Sequence, residues 1–145
     1  IQNGYSDNYT SGLYILAEQV TVEDVRFTGN YVGNSGSRII EASMGIYWNE
    51  DGLDQKHIFN NVEIFDNIGD GNGIHLLSGY FEINNCLIIT EVNDHIAITF
   101  SQEGKRVQID HSTILSGGPH HIGDHSGPAV SYLDLSISNS ILYTP

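Results

Sequence analysis

Apolar residues in this chain alternate with polar ones for a few positions, break step at a polar pair, and resume. That motif recurs five times in one eleven-residue frame: VTVEDVRFTGN (20–30), HIFNNVEIFDN (57–67), FEINNCLIITE (81–91), VQIDHSTILSG (107–117) and LSISNSILYTP (135–145). The third position is apolar throughout (Val22, Phe59, Ile83, Ile109, Ile137), and so is the eighth (Phe27, Ile64, Ile88, Ile114, Leu142). The sixth is small or apolar: Val25, Val62, Cys86, Ser112, Ser140. The first interval, Val22 to Phe59, is the longest, and the three that follow are nearly equal. A frame repeating at roughly 20–50 residues is the signature of a solenoid.

Residues two apart face the same side of a strand. The polar pair before the sixth position therefore marks a corner between two strands. Its second member is Asp24, Asn61, Asn85, His111 or Asn139. Asn and Asp tolerate the left-handed backbone that a tight corner needs. Stacking the coils superposes these five, and the expectation is a buried ladder whose amides bond the backbone of neighbouring coils.

A second, Gly-led frame precedes most copies: GLYI (12–15), GIYW (45–48), GIHL (73–76), HIAI (95–98) and a degraded PAVS (128–131). Its second and fourth residues point inward. No helical period is sustained, and Gly, Asn and Ser punctuate the chain. The predicted fold is all-β, a single-stranded right-handed parallel β-helix of about five coils spanning residues 1–145. Each coil would bury its inner face only by stacking on its neighbours. Two stretches, 33–43 and the acidic 49–56, read as loops that lengthen the first interval; the acidic one reads as a solvated turn, its spacing not that of a calcium loop.

IQNG (1–4), SGLYI (11–15), VTVEDVRFTGN and ISNSILY (137–143) resemble the right-handed parallel β-helix repeats of secreted and cell-surface bacterial proteins. The resemblance covers nearly the whole chain. It implies a pectate-lyase-like fold class that hosts polysaccharide lyases, glycosidases, adhesins and phage tailspikes, so it speaks to fold and leaves function to the sites.

Composition narrows the partners. Eighteen acidic residues against five basic ones give a net charge of −13, which argues against nucleic acid and anionic membranes, since both need a basic footprint. No apolar run of about twenty residues offers a membrane span. The lone cysteine, Cys86, occupies an inward position and reads as a small buried hydrophobe. The chain opens like the end of an earlier coil, so the expected partners are the rest of a larger parent protein or stacked copies, in an extracellular or cell-surface setting.

Three groups of residues carry candidate chemistry. The outward positions of the Gly-led frame, Tyr14, Tyr47 and His75, would line up on successive coils as a ring strip suited either to a sugar or to mutual stacking. The ninth position of the main frame (Thr28, Phe65, Ile89, Leu115, Tyr143) is apolar where solvent is expected, marking a partner surface. The loop SGGPHHIGDHSGP (116–128) holds His120, His121, Asp124 and His125, ligand types for a divalent metal such as zinc. Adjacent histidines point apart, however, and no second cluster completes a site, so no cofactor is called for.

Two functions fit these features. One is a non-catalytic extracellular structural or adhesive module that binds glycans. The alternative is a polysaccharide-active lyase or glycoside hydrolase, for which Lys105 and Arg106 beside Glu103, or the carboxylates of Asp110 and Asp124, are the material. A glycosidase would need two carboxylates at a set separation.

Overall fold

The computed structural model describes residues 1–6, 10–17, 19–33, 38–43, 56–69, 72–77, 79–90, 97–100, 105–117, 122–124 and 133–143. Eighteen strands run through them: β1 (Tyr5–Ser6), β2 (Thr10–Leu16), β3 (Thr21–Glu23), β4 (Arg26–Phe27), β5 (Tyr31–Val32), β6 (Arg38–Ser43), β7 (His57–Asn60), β8 (Glu63–Ile64) and β9 (Ile68–Gly69) in the first half. The second half holds β10 (Asn72–Leu76), β11 (Gly79–Asn84), β12 (Leu87–Thr90), β13 (Ile98–Phe100), β14 (Lys105–Asp110), β15 (Thr113–Ser116), β16 (Ile122–Asp124), β17 (Leu133–Ser138) and β18 (Ile141–Tyr143). No helix occurs among the described residues, so none is available to cross a membrane.

The strands stack into a parallel β-solenoid. The first sheet is ordered β16-β13-β10-β6-β2, the second β17-β14-β11-β7-β3 and the third β18-β15-β12-β8-β4, with a narrow fourth of β1-β5-β9. Every pairing is parallel. Each of the three main sheets is five strands deep, and three of those layers are covered on both sides.

The eleven-residue frame is the second sheet, a corner, and the third sheet. Its two inward columns pair in register. Val22 meets Phe59, Phe59 meets Ile83, Ile83 meets Ile109 and Ile109 meets Ile137. Phe27, Ile64, Ile88, Ile114 and Leu142 form the second column in the same way. Eight of these ten residues are buried. The other two lie in the last layer: Leu142 is partly buried, and Ile137 is 40% exposed because no described layer covers it.

The corner residues are all left-handed: φ is 54° at Asp24, 52° at Asn61, 53° at Asn85, 47° at His111 and 48° at Asn139. Their side chains correct the expectation of a buried ladder. Asn61 and Asn85 are exposed. Asn61 Nδ2 donates to Asp24 Oδ1 at 2.6 Å, Asn85 Nδ2 to Asn61 Oδ1 at 3.5 Å, and Asn139 Nδ2 to Asp110 Oδ1 at 2.9 Å. The ladder runs side chain to side chain on the outside. The reason is geometric: with the third and sixth positions inward, both residues between them must bulge outward.

The buried amide ladder lies at the eleventh position instead. Asn30 is fully buried. Its backbone N–H and its Nδ2 both donate to Asn67 Oδ1, at 3.0 and 2.9 Å, and its Oδ1 accepts from the Gly4 N–H at 2.9 Å. Asn67 Nδ2 in turn donates to the carbonyls of Phe27 and Phe65, each at 3.0 Å.

The Gly-led frame needs correction. Leu13 and Ile15 pair with Ile40 and Ala42 of β6, so RIIEAS, expected as loop, is a strand of the first sheet next to β2; GIYW lies outside the described residues. Ile74 pairs with Ile98 and Leu76 with Phe100, two positions later than HIAI implies. The strand next to β13 is Ile122–Asp124, inside the histidine-rich stretch; PAVS lies outside the described residues.

Replacing Ile88 by Ala should cost about 2–5 kcal/mol, the usual range for a buried large-to-small change. Ile137→Ala, at the part-exposed layer, should cost below about 1 kcal/mol. Denaturant unfolding of the two variants checks the difference, and equal losses would overturn the assigned layers.

Asn67→Ala should cost about 1–3 kcal/mol because it strips two buried Asn30 donors of their acceptor. Asn85→Gly should be nearly neutral, whereas Asn85→Val should cost about 1–2 kcal/mol through its left-handed backbone. Unfolding midpoints of the three variants test that order.

Candidate functional site

A connected polar cluster lies on the outer face of the second sheet. Lys56 immediately precedes β7, and Tyr80, Arg106 and Asp134 occupy the matching position on the next three layers, Tyr80 opposite Arg106 and Arg106 opposite Asp134. Glu82 and Gln108 sit two positions further along, opposite each other. Strand alternation puts all six on the outward side.

Tyr80 is only 8% exposed although it sits on an outer face. Lys56 Nζ lies 5.6 Å from its ring centroid and Arg106 Cζ 5.3 Å, one from the layer on each side. Cations over an aromatic face are attracted by its quadrupole, and their aliphatic stems cover the ring. The Tyr80 hydroxyl lies 2.8 Å from Glu82 Oε1 and 2.7 Å from Gln108 Oε1. Lys56 Nζ donates to Glu82 Oε1 at 2.6 Å, and Arg106 faces Asp134 at 3.3 Å.

These contacts set the protonation states. Partial burial by itself would raise the Glu82 carboxyl, but the hydrogen bonds from Lys56 and Tyr80, with the Lys56 charge, bring it below its ordinary value. The hydrogen bond to Glu82 holds the Lys56 ammonium above its usual range. Burial, reinforced by the bond to Glu82, pushes the Tyr80 hydroxyl up.

A second group sits at the far end of the same face. Asp110 accepts from Ser138 Oγ at 2.7 Å and Asn139 Nδ2 at 2.9 Å, with His111 Nδ1 at 2.7 Å. Those donors, Ser138 first, lower its carboxyl to about 2. Both carboxylates are thus held ionised by saturating donors. That is an environment for fixing side chains; a general acid near neutral pH needs its carboxyl raised.

Tyr14 is 57% exposed, but its partner on the next layer is Glu41, and Glu41 in turn pairs with His75. Tyr14 and His75 therefore share one column two layers apart with Glu41 between them, and His75 is only 4% exposed. Tyr47 lies outside the described residues. Glu41 of RIIEAS holds the second-layer position of this column, and GIYW lies outside the described residues. A ring stack does exist elsewhere, on the narrow sheet: Tyr5 and Tyr31 are parallel to within 7° at 4.9 Å, with Ile68 next in the column. Tyr5 and Tyr31 end the similar stretches IQNGY and TGNY one coil apart, a signal the sequence itself carries.

Phe65, Ile89 and Leu115 are half-buried and Tyr143 is exposed on the outer face of the third sheet, with Ile89 opposite Leu115 and Leu115 opposite Tyr143. The Arg26 guanidinium lies 5.4 Å from the Phe65 ring centroid. Of the histidine-rich loop, His120, His121 and His125 lie outside the described residues. Asp124 ends β16 in the first sheet, opposite Phe100, and Asp110 ends β14 in the second, so these two carboxylates do not share a sheet. Lys105 and Arg106 open β14; Glu103 lies outside the described residues. Among the described residues, no three His, Cys, Asp or Glu are grouped to hold a metal ion. Cys86 is buried, and burial raises its thiol to about 11, as befits a packing residue.

No family model matches the chain, and no curated protein or solved structure is significantly similar to it.

Asp110 contributes to the acid limb of the stability curve. Its folded value of about 2 lies below the ordinary 3.8. A depressed carboxyl contributes stability that is fully present above the unfolded value and is lost as pH falls through the folded one. Stability should therefore drop between about pH 4 and pH 2, and Asp110→Asn should flatten that limb. Urea unfolding across the acid range measures it, and a limb unchanged by Asp110→Asn would refute the assignment.

Proposed function

We propose that this chain is a non-catalytic structural and adhesive β-solenoid module of a secreted or bacterial cell-surface protein, of the pectate-lyase-like fold class, that holds glycans on its flanks. The observation that carries this reading is the pairing on the second sheet. Glu82 accepts from Lys56 and Tyr80, and Asp110 accepts from donors on its own and the next layer, both carboxyls being lowered. Catalytic acid and base pairs need environments that push their proton affinities apart; these two are pushed the same way. The exposed rings of Tyr14, Tyr5 and Tyr31 offer sugar-stacking surface, since aromatic side chains present an apolar face with a polar rim. The column of half-buried Phe65, Ile89 and Leu115 and exposed Tyr143 suits a contact with the rest of a parent protein or with a stacked copy. The net charge of −13 is consistent with partners other than nucleic acid.

The purified chain should bind at least one glycan on an array, lose binding in Tyr14→Ala or Tyr5→Ala, and release no product from neutral or acidic polysaccharides in lyase and reducing-end assays, with or without calcium or zinc. Metal-dependent product release that vanishes in Arg106→Ala or His121→Ala would replace this reading with the polysaccharide-active enzyme.

A further inference from the structure

The corner between the second and third sheets is a furrow. Its fifth position bulges outward in left-handed backbone, its sixth turns inward and is small, and its seventh points outward again. Position five forms one wall of the furrow and position seven the other. In the first two layers it opens into a cleft of about 260 Å³ lined by Asp24, Val25, Arg26, Asn61 and Glu63. One wall is a carboxylate bonded to an amide, Asn61 Nδ2 to Asp24 Oδ1 at 2.6 Å. The other is an ion pair, Arg26 Nε to Glu63 Oε2 at 2.5 Å, with the Arg26 guanidinium 5.4 Å from the Phe65 ring centroid.

The charges select the ligand. Two carboxylates against one guanidinium disfavour a phosphate, a sulfate or an acidic sugar. The guanidinium already supplies positive charge next to the carboxylates, where a metal ion would otherwise sit. The polar walls give no hold to an apolar molecule. A neutral polyhydroxylated ligand meets all four side chains, because a hydroxyl can donate to a carboxylate and accept from an amide or a guanidinium. Asp24 and Asn61 lie side by side on adjacent layers and are bonded to each other at 2.6 Å, so the second carboxylate oxygen and the second amide N–H stand next to one another at the furrow as acceptor and donor. That pair suits two neighbouring hydroxyls of one ring. The volume falls below the ~300–1,000 Å³ of sites for drug-sized ligands, room for a single sugar unit.

We propose that this corner cleft is a subsite for one neutral sugar unit, with adjacent hydroxyls held by Asp24 and Asn61 and the outer rim closed by Arg26. The inference rests on the glycan-holding reading above and places a contact away from its aromatic rings.

The test is a nuclear magnetic resonance titration of the whole chain with neutral gluco-, manno-, galacto- and xylo-oligosaccharides, and with oligogalacturonate as the acidic control. Saturable shifts should appear at the amides of Val25, Arg26, Val62 and Glu63 with at least one neutral sugar and not with the acidic one. Asp24→Asn and Asn61→Gly, both compatible with the left-handed corner, should each weaken binding at least tenfold while leaving the melting temperature near that of the parent chain. Sugar binding that survives both substitutions would overturn the subsite and leave the glycan-holding reading in place. Shifts of equal size with oligogalacturonate would overturn the stated ligand class. No binding of any sugar, here or on the array, would remove both.

Discussion

The two-residue corner between the second and third sheets is the constraint on which the rest of this solenoid depends. One residue must enter left-handed backbone, at about 1–2 kcal/mol for an ordinary side chain, and the next must be small enough to turn inward. Asp or Asn takes the first place in four layers and His111 in the other, with φ between 47° and 54° in all five. Because the corner is always the same, both inward columns remain in register from layer to layer. The sixth position then adds a polar seam inside the turn. The Cys86 N–H donates to Ser112 Oγ and the Ser112 N–H to Ser140 Oγ, each at 3.1 Å. Small side chains there let the hydroxyl take the acceptor role for backbone at the bend.

A parallel, in-register stack superposes like positions, which is hazardous for so acidic a chain. Carboxylates directly above one another would repel. The outer columns avoid this by alternation: Glu23 is followed by Asn60 and Asp24 by Asn61, with the amide donating each time, at 2.7 and 2.6 Å. Cations are placed in the same way. Arg26 meets Glu63, Lys56 meets Glu82 and Arg106 meets Asp134 on neighbouring layers. The chain's five basic residues are few but sufficient to interrupt columns of acid. Most of these pairs are exposed and worth little singly; their effect is to make one register tolerable.

What the sequence reveals of the fold divides along the same line. The second sheet, the corner and the third sheet are readable because their relative spacing never changes: each corner is a pair, from Asp24–Val25 to Asn139–Ser140. Every third- and eighth-position pairing therefore follows from the frame alone. The first sheet does not, because its distance from the frame varies. The connection to the second sheet is tight from Leu76 to Gly79, intermediate from Leu16 to Thr21 and from Phe100 to Lys105, and long from Asp124 to Leu133 and from Ser43 to His57. With no fixed offset, GIYW matches the glycine pattern better than RIIEAS does, although it is Glu41 of RIIEAS that stands opposite Tyr14 and His75. The corner ladder is harder to place for another reason: Asn at a tight bend reads the same whether its amide faces in or out. Tyr80 gives no sequence signal, since Lys56, Arg106 and Gln108 each lie a full coil away and differ in type from layer to layer.

That contrast between a rigid corner and an elastic one bears on how such a chain can change over generations. A single-codon insertion at the rigid corner would reverse the facing of every side chain in the strand that follows, because the strand period is two. The same insertion at the other corner is absorbed, as the unequal connections after Leu76 and after Ser43 demonstrate. Heritable length variation, and with it new loops able to acquire new chemistry, should therefore accumulate along the corner before the second sheet while the corner after it keeps its length unchanged.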